Sequence, residues 1–175
     1  YNLSEKTGDV TVEILNGGGV FSSIFNDIPV EKNLITIAVK AYMNAIGRGG
    51  NFTFRIAKNI PSGAGMGGGS SNAAAALKIV SGLFETQNDN ELYSAALSAG
   101  ADVPFFLEGG FAFVEGRGER VFPIDFTDDS FILLVNNGIH INTGFAYSSL
   151  KKPVSGITEN CSERKKLITE KIKEK

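Results

Sequence analysis

With 175 residues, 42% of them apolar and 21% charged, the chain has the make-up of an ordinary globular domain with room for one sizeable core. Its 17 basic and 19 acidic residues nearly balance, and outside a mixed-sign C-terminal stretch the basic ones are scattered, so nucleic acid is not an expected partner. The single cysteine, Cys161, rules out an intramolecular disulfide, and the opening residues lack an export-leader pattern. The richest apolar run, residues 131–135, stops at Asn136, Asn137 and Gly138, far short of a membrane helix, so a cytoplasmic protein with no membrane partner is expected.

In chain order, Val10, Val12 and Ile14 alternate with polar residues and run into Gly17, Gly18 and Gly19, the pattern of a strand entering a turn. From Glu31 to Ile46 the apolar positions Leu34, Ile35, Ala38, Ala41, Tyr42, Ala45 and Ile46 follow a helical period, and Gly47 supplies a left-handed cap. Phe52, Phe54 and Ile56 form a second strand ending near Lys58, before Pro61. Ala73, Ala76, Leu77, Val80 and Phe84 share one face of a second helix that Ser70, Ser71 or Asn72 can cap. Asn88 with Glu91 resembles a capping pair for a short helix running to Gly100. Strands are expected over residues 111–114 and 131–135, with turns at 116–118 and 127–130, and a solvated helix over 159–175.

Residues 61–72, Pro-Ser-Gly-Ala-Gly-Met-Gly-Gly-Gly-Ser-Ser-Asn, lie between a strand and an alanine-rich helix and hold five glycines. Backbone without Cβ atoms can approach an anion closely, and the helix that follows aims its unpaired N–H groups and positive dipole end at the same place. Pro61, Gly63, Gly65, Gly67, Gly68, Gly69, Ser70, Ser71 and Asn72 are therefore candidate phosphate-binding residues. Gly63, Gly65 and Gly68 also satisfy GxGxxG, with Glu85 as a distant ribose partner. A dinucleotide site of that kind needs the turn directly at the strand end and a regular βαβ alternation, and neither is evident. A Walker A loop needs a Gly-Lys pair that is absent here, and a flexible packing turn is the bland alternative.

The loop resembles the phosphate loop of the galactokinase, homoserine kinase, mevalonate kinase and phosphomevalonate kinase superfamily, with Met66 in place of the usual leucine. Its Gly-Gly-Gly-Ser-Ser-Asn-Ala-Ala ending is similar to the branch acting on a diphosphocytidyl methylerythritol. So is the run Gly100-Ala101-Asp102-Val103-Pro104-Phe105-Phe106, followed by Gly109-Gly110 and Glu115-Gly116-Arg117-Gly118-Glu119. The resemblance implies transfer of the γ-phosphate of ATP, with Mg2+, to the 2-hydroxyl of that small-molecule substrate, in a monomer or homodimer. It implies Asp102 as the catalytic carboxylate, which must lie within hydrogen-bond reach of the hydroxyl. It places Asn33, Leu34 and Lys58 around the adenosine, and Tyr147 as an aromatic stacking on the cytosine ring. His140 and Thr143, in an expected strand or turn over residues 139–143, join Tyr147 as substrate-binding candidates, His140 reading as a substrate-pocket wall or packing residue rather than a general base. No protein metal ligands are assigned.

The fold implied is α+β, a two-layer domain resembling ribosomal protein S5 domain 2, with a rare left-handed βαβ crossover. Residues 1–150 are expected to form the ATP-binding kinase N-terminal domain without its first strands, and residues 151–175 the start of a C-terminal domain or a linker helix. The family's Lys-x-Asn-Leu strand, whose lysine assists the aspartate, and its Asp-Gly-Tyr-His segment have no counterpart here, so a partial chain is expected.

Overall fold

The computed structural model describes residues 2–4, 8–15, 28–60, 65–86, 89–135, 143–149 and 161–173. Strand β2 (Val10–Leu15) runs parallel to β3 (Gly49–Ala57), and β1 (Asn2–Ser4) pairs antiparallel on the other side of β3. Parallel neighbours need a crossover, and helix α1 (Leu34–Ile46) supplies it. The two parallel strands bury the same face: Val10 and Phe52 are register partners and both lie in the core. On the other face the partners Glu13 and Arg55 are exposed and joined at 2.8 Å, an ion pair that raises the Arg55 pKa through the hydrogen bond first and the charge second.

The helical period from Glu31 begins to be helix only at Leu34. A short 3-10 turn covers Val30–Lys32, and Asn33 then adopts an extended conformation so that its side chain accepts the Ile35 N–H at 3.0 Å. Beyond that cap, Ile35, Ala38, Val39, Tyr42 and Met43 are buried, and Gly47 closes the helix in the left-handed conformation, as expected. Helix α2 (Gly68–Phe84) packs on α1 through Ala73, Ala74, Ala76, Leu77 and Val80, small and medium side chains that let the two backbones approach. Phe84 closes the layer edge-on against Phe52, while the Arg48 guanidinium stacks on Phe84 and donates to its carbonyl at 2.8 Å.

Helix α3 (Asp89–Ala99) buries Ala95, Ala96 and Ala99 against α1 and α2; the expected cap residue Asn88 lies outside the described residues. A tight turn then leads into α4 (Val103–Glu108), a helix the apolar pattern did not reveal, which packs on α2. An antiparallel hairpin follows, β4 (Phe111–Glu115) with β5 (Arg120–Ile124). Residues 131–135, expected as a strand, carry no regular secondary structure, and their side chains are exposed, Phe131 fully so. An apolar run without alternation names no pairing partner, and none of the described strands pairs with it. Helix α5 (Thr143–Ser148) begins where an extended segment was expected to end, and α6 (Cys161–Lys173) forms within the stretch read as a solvated helix. The fold is α+β, as expected. No helix among the described residues is long and apolar enough to cross a membrane.

Candidate active site

The sheet face that is core at Val10 and Phe52 becomes a cleft at its far end. Ile14 and Ile56, also register partners, line one part of a cavity of about 420 Å³. The start of α1 adds Lys32, Asn33 and Leu34, and the chain leaving β3 adds Lys58. Gly65 to Gly69, Ser70 and Asn72 of the glycine loop and the first turn of α2 form the next part of the lining. Asp102 completes it from the α3–α4 turn. The structure thus brings into one cleft ten residues singled out from sequence: Asn33, Leu34, Lys58, Gly65, Gly67, Gly68, Gly69, Ser70, Asn72 and Asp102.

The loop works through its backbone. Gly67 is left-handed (φ 66°, ψ 13°) and precedes α2 without any side-chain cap. The first bond of the helical ladder runs from the Ser71 N–H to the Gly67 carbonyl at 2.8 Å, which leaves the N–H groups of Gly68, Gly69 and Ser70 outside the helix's own ladder. Ser70, Ser71 and Asn72, expected as caps, instead sit inside the helix. The glycine turn reaches α2 three residues earlier than a side-chain cap would have, and Ser71 uses its hydroxyl locally, donating to the Gly68 carbonyl at 3.1 Å. The result is a helix N-terminus with donors and positive dipole directed into the cleft and no protein acceptor supplied from a cap.

Gly67 has a second constraint. A Cβ there would lie 2.6 and 2.8 Å from two ring atoms of Phe106, so the α4 ring is seated directly on the loop. Phe106 belongs to the same short helix that Asp102 opens. Asp102 occupies the cap position of α4, but its carboxylate makes no cap hydrogen bond; it is exposed and lines the cleft. Val103, Pro104 and Leu107 bury the other side of α4, so the carboxylate is carried on an anchored element.

Lys58 is half-buried, and burial lowers its pKa because desolvation penalises the charged form. A polyphosphate beside it would reverse that penalty. Lys32, Ile14, Ile28, Ile35, Ile56 and Met66 also line the cleft and were not named as site residues from sequence. Strand alternation could have put Ile14 and Ile56 on one face, but not told where that face stops being core. Of the remaining candidates, Pro61, Gly63 and His140 lie outside the described residues, and Thr143 and Tyr147 fall one turn apart on α5.

Comparison with known proteins gives the same direction. Residues 33–110 match the family described as GHMP kinases N terminal domain. Over 124 residues the chain is 40% identical to the 4-diphosphocytidyl-2-C-methyl-D-erythritol kinase of Deinococcus radiodurans, covering 69% of this chain and 42% of that protein. The kinase of the same description from Persephonella marina is 40% identical over 121 residues, covering 69% and 44%. A crystal structure of 4-(cytidine 5'-diphospho)-2C-methyl-D-erythritol kinase matches with a TM-score of 0.51 and 33% identity, over 70% of this chain and 40% of that one. The chain spans less than half the length of these relatives. The glycine loop and the Gly100 to Phe106 run, which carried the resemblance in the sequence, both lie within the matched residues 33–110.

Proposed function

We propose, on the premise that residues 33–110 carry a GHMP kinase N-terminal domain, that the chain is the nucleotide-binding portion of an ATP-dependent small-molecule kinase. Its acceptor is 4-diphosphocytidyl-2-C-methyl-D-erythritol, phosphorylated on the 2-hydroxyl, as a step of non-mevalonate isoprenoid synthesis in the cytoplasm. The observation that carries this reading is an uncapped helix N-terminus and a carboxylate opening onto one cleft.

Phosphoryl transfer demands neutralised phosphates and a positioned hydroxyl more than covalent catalysis. The N–H groups of Gly68, Gly69 and Ser70, with Lys58, suit the polyphosphate, and the apolar surfaces of Ile14, Leu34 and Ile56 suit the flat face of a base. Asp102 orients the acceptor hydroxyl and takes its proton as the phosphorus–oxygen bond forms. Among the described residues no group of three His, Cys, Asp or Glu side chains could cage a metal ion. Magnesium would be held mainly by phosphate oxygens and water, with the Ser70 hydroxyl and Asp102 the oxygen-bearing side chains of the cleft suited to join it, and would supply charge neutralisation of the phosphates. Residues 1–150 are assigned to the nucleotide-binding unit and 151–175 to the start of a C-terminal domain or a linker helix; Tyr147, Thr143 and His140 are assigned to the acceptor side.

Titration with Mg-ATP followed by a transfer assay on the diphosphocytidyl acceptor tests the reading. Asp102→Asn should lower kcat by about 10²- to 10⁴-fold, the range for a lost general base, while Mg-ATP affinity stays near wild type. Undiminished transfer by that variant removes Asp102 from the chemistry. Binding of NAD in preference to ATP would remove the kinase reading altogether.

A further inference from the structure

The hairpin turn over residues 116–119 lies outside the cleft, yet its construction is more exacting than a surface turn requires. Gly116 and Gly118 both have positive φ, 71° and 126°. Glu119 folds its carboxylate back into the turn, where Oε2 accepts the Arg117 N–H at 2.6 Å, and a Cβ on Gly116 would overlap that carboxylate. Hydrogen bonds from Glu119's own N–H and then from the Arg117 N–H hold the carboxyl below its usual range, so the brace persists at mildly acidic pH. The Gly118 N–H donates to the Glu115 carbonyl at 3.3 Å, and Arg120 meets Glu115 at 3.5 Å below the turn.

The only one of the four turn residues that is buried is Gly118, and what it meets is the backbone of Ala101: a Cβ there would overlap the Ala101 carbonyl oxygen. Ala101 immediately precedes Asp102, inside the tight turn closed by the Val103 N–H donating to the Gly100 carbonyl at 3.1 Å. A rigid turn pressed on one peptide of a closed four-residue loop fixes the direction of the next residue's side chain.

We infer that the Gly116-to-Glu119 turn is a positioning element for Asp102, with Gly118 setting how closely the Asp102 loop approaches the cleft and Glu119 keeping the turn rigid. This inference rests on the kinase reading of Asp102. It gives a role to the Glu-Gly-Arg-Gly-Glu run, which the cleft itself leaves without one. None of the four turn residues lines the cleft; they act through Ala101.

The test uses the intact protein with Gly118→Ala and, in case that variant does not fold, Glu119→Gln. Gly118→Ala should lower kcat about 10- to 100-fold, the scale of an ångström's misplacement of a reacting group, and Glu119→Gln about threefold to tenfold. Mg-ATP affinity should stay within about twofold, because the loop and Lys58 do not rest on the turn. A purely structural role is separated by the double variant: in an Asp102→Asn background, Gly118→Ala should cost no further kcat, since the group it positions is already gone. Wild-type kcat in a folded turn variant, a parallel loss of Mg-ATP affinity, or full additivity with Asp102→Asn would each overturn the inference. Full transfer by Asp102→Asn alone would instead overturn the catalytic assignment on which it rests.

Discussion

Two helices begin at the same cleft and begin differently. The N-terminus of α1 is closed by a side chain: Asn33 accepts the Ile35 N–H, so one of the helix's orphan donors is spent within the protein. The N-terminus of α2 is opened by a left-handed glycine that can cap nothing, and its first N–H groups are left to the cleft. A third, α4, places an aspartate at its cap position and declines the cap bond. Capping is worth about 1 kcal/mol, and two helix ends in one small cleft forgo it, which under the proposed function leaves them for ligand contact. On that proposal the capped end frames the site, and the uncapped ends act in it.

The sharpest way to break this comparison is to put a side chain on Gly67. Gly67→Ala places an L-residue in a left-handed conformation that costs about 1–2 kcal/mol and drives its Cβ into the Phe106 ring. Mg-ATP affinity should fall by more than about tenfold as the N–H groups of the loop are turned, measured by calorimetric titration. Pairing it with Phe106→Leu should recover part of the loss by relieving the ring overlap and none of the backbone strain. If Gly67→Ala binds Mg-ATP as tightly as wild type, the open end of α2 is not where the phosphates sit.

A smaller effect separates framing from function at the other helix. Asn33→Ala should lower stability by about 1 kcal/mol through loss of the cap, seen as a shift in the denaturant midpoint. Asn33→Asp retains an acceptor for the Ile35 N–H and should leave that midpoint nearly unchanged, but it removes the amide donors and adds a negative charge at the cleft. Its signature should be a loss of Mg-ATP affinity of about threefold to tenfold without a loss of stability. Equal effects of the two substitutions on stability and on binding would erase the distinction between the two helix ends.

How far the site was legible in the sequence follows the same division. Residues whose role is local were readable: α1, α2 and α3 from their apolar period, Gly47 as a cap, the glycine loop as an anion cradle. Asp102 became a candidate only through resemblance, because a lone aspartate after a helix has no periodic signature. What remained hidden depends on contacts between distant segments. Lys32, Ile28 and Ile56 enter the cleft because β2 and β3 end where α1 begins, and Phe106 reaches Gly67 because α4, itself invisible in the pattern, folds back on α2. The expected caps at Ser70, Ser71 and Asn72 were misplaced because propensity favours a polar cap, whereas this helix starts on glycine. Residues 131–135 read as a strand for their composition alone, which says nothing of a partner.

The finest test of the comparison is electrostatic and falls on Lys58. Burial lowers its pKa below the usual lysine value in the free protein, so its charge is lost at a lower pH than that of an exposed lysine. A polyphosphate bound at the open end of α2 favours the charged form and raises that pKa again. Binding therefore takes up a proton wherever the free lysine is partly neutral, and Mg-ATP affinity must fall as pH rises through the free-protein pKa of Lys58. The decline should set in on the alkaline side, below the pH at which an ordinary lysine titrates, and amount to about fivefold, the scale of 1 kcal/mol for a partly solvated pair. Lys58→Met should bind Mg-ATP about fivefold more weakly at neutral pH and lose the alkaline decline. An unchanged decline in that variant would show that Lys58 is not the group responsible for it.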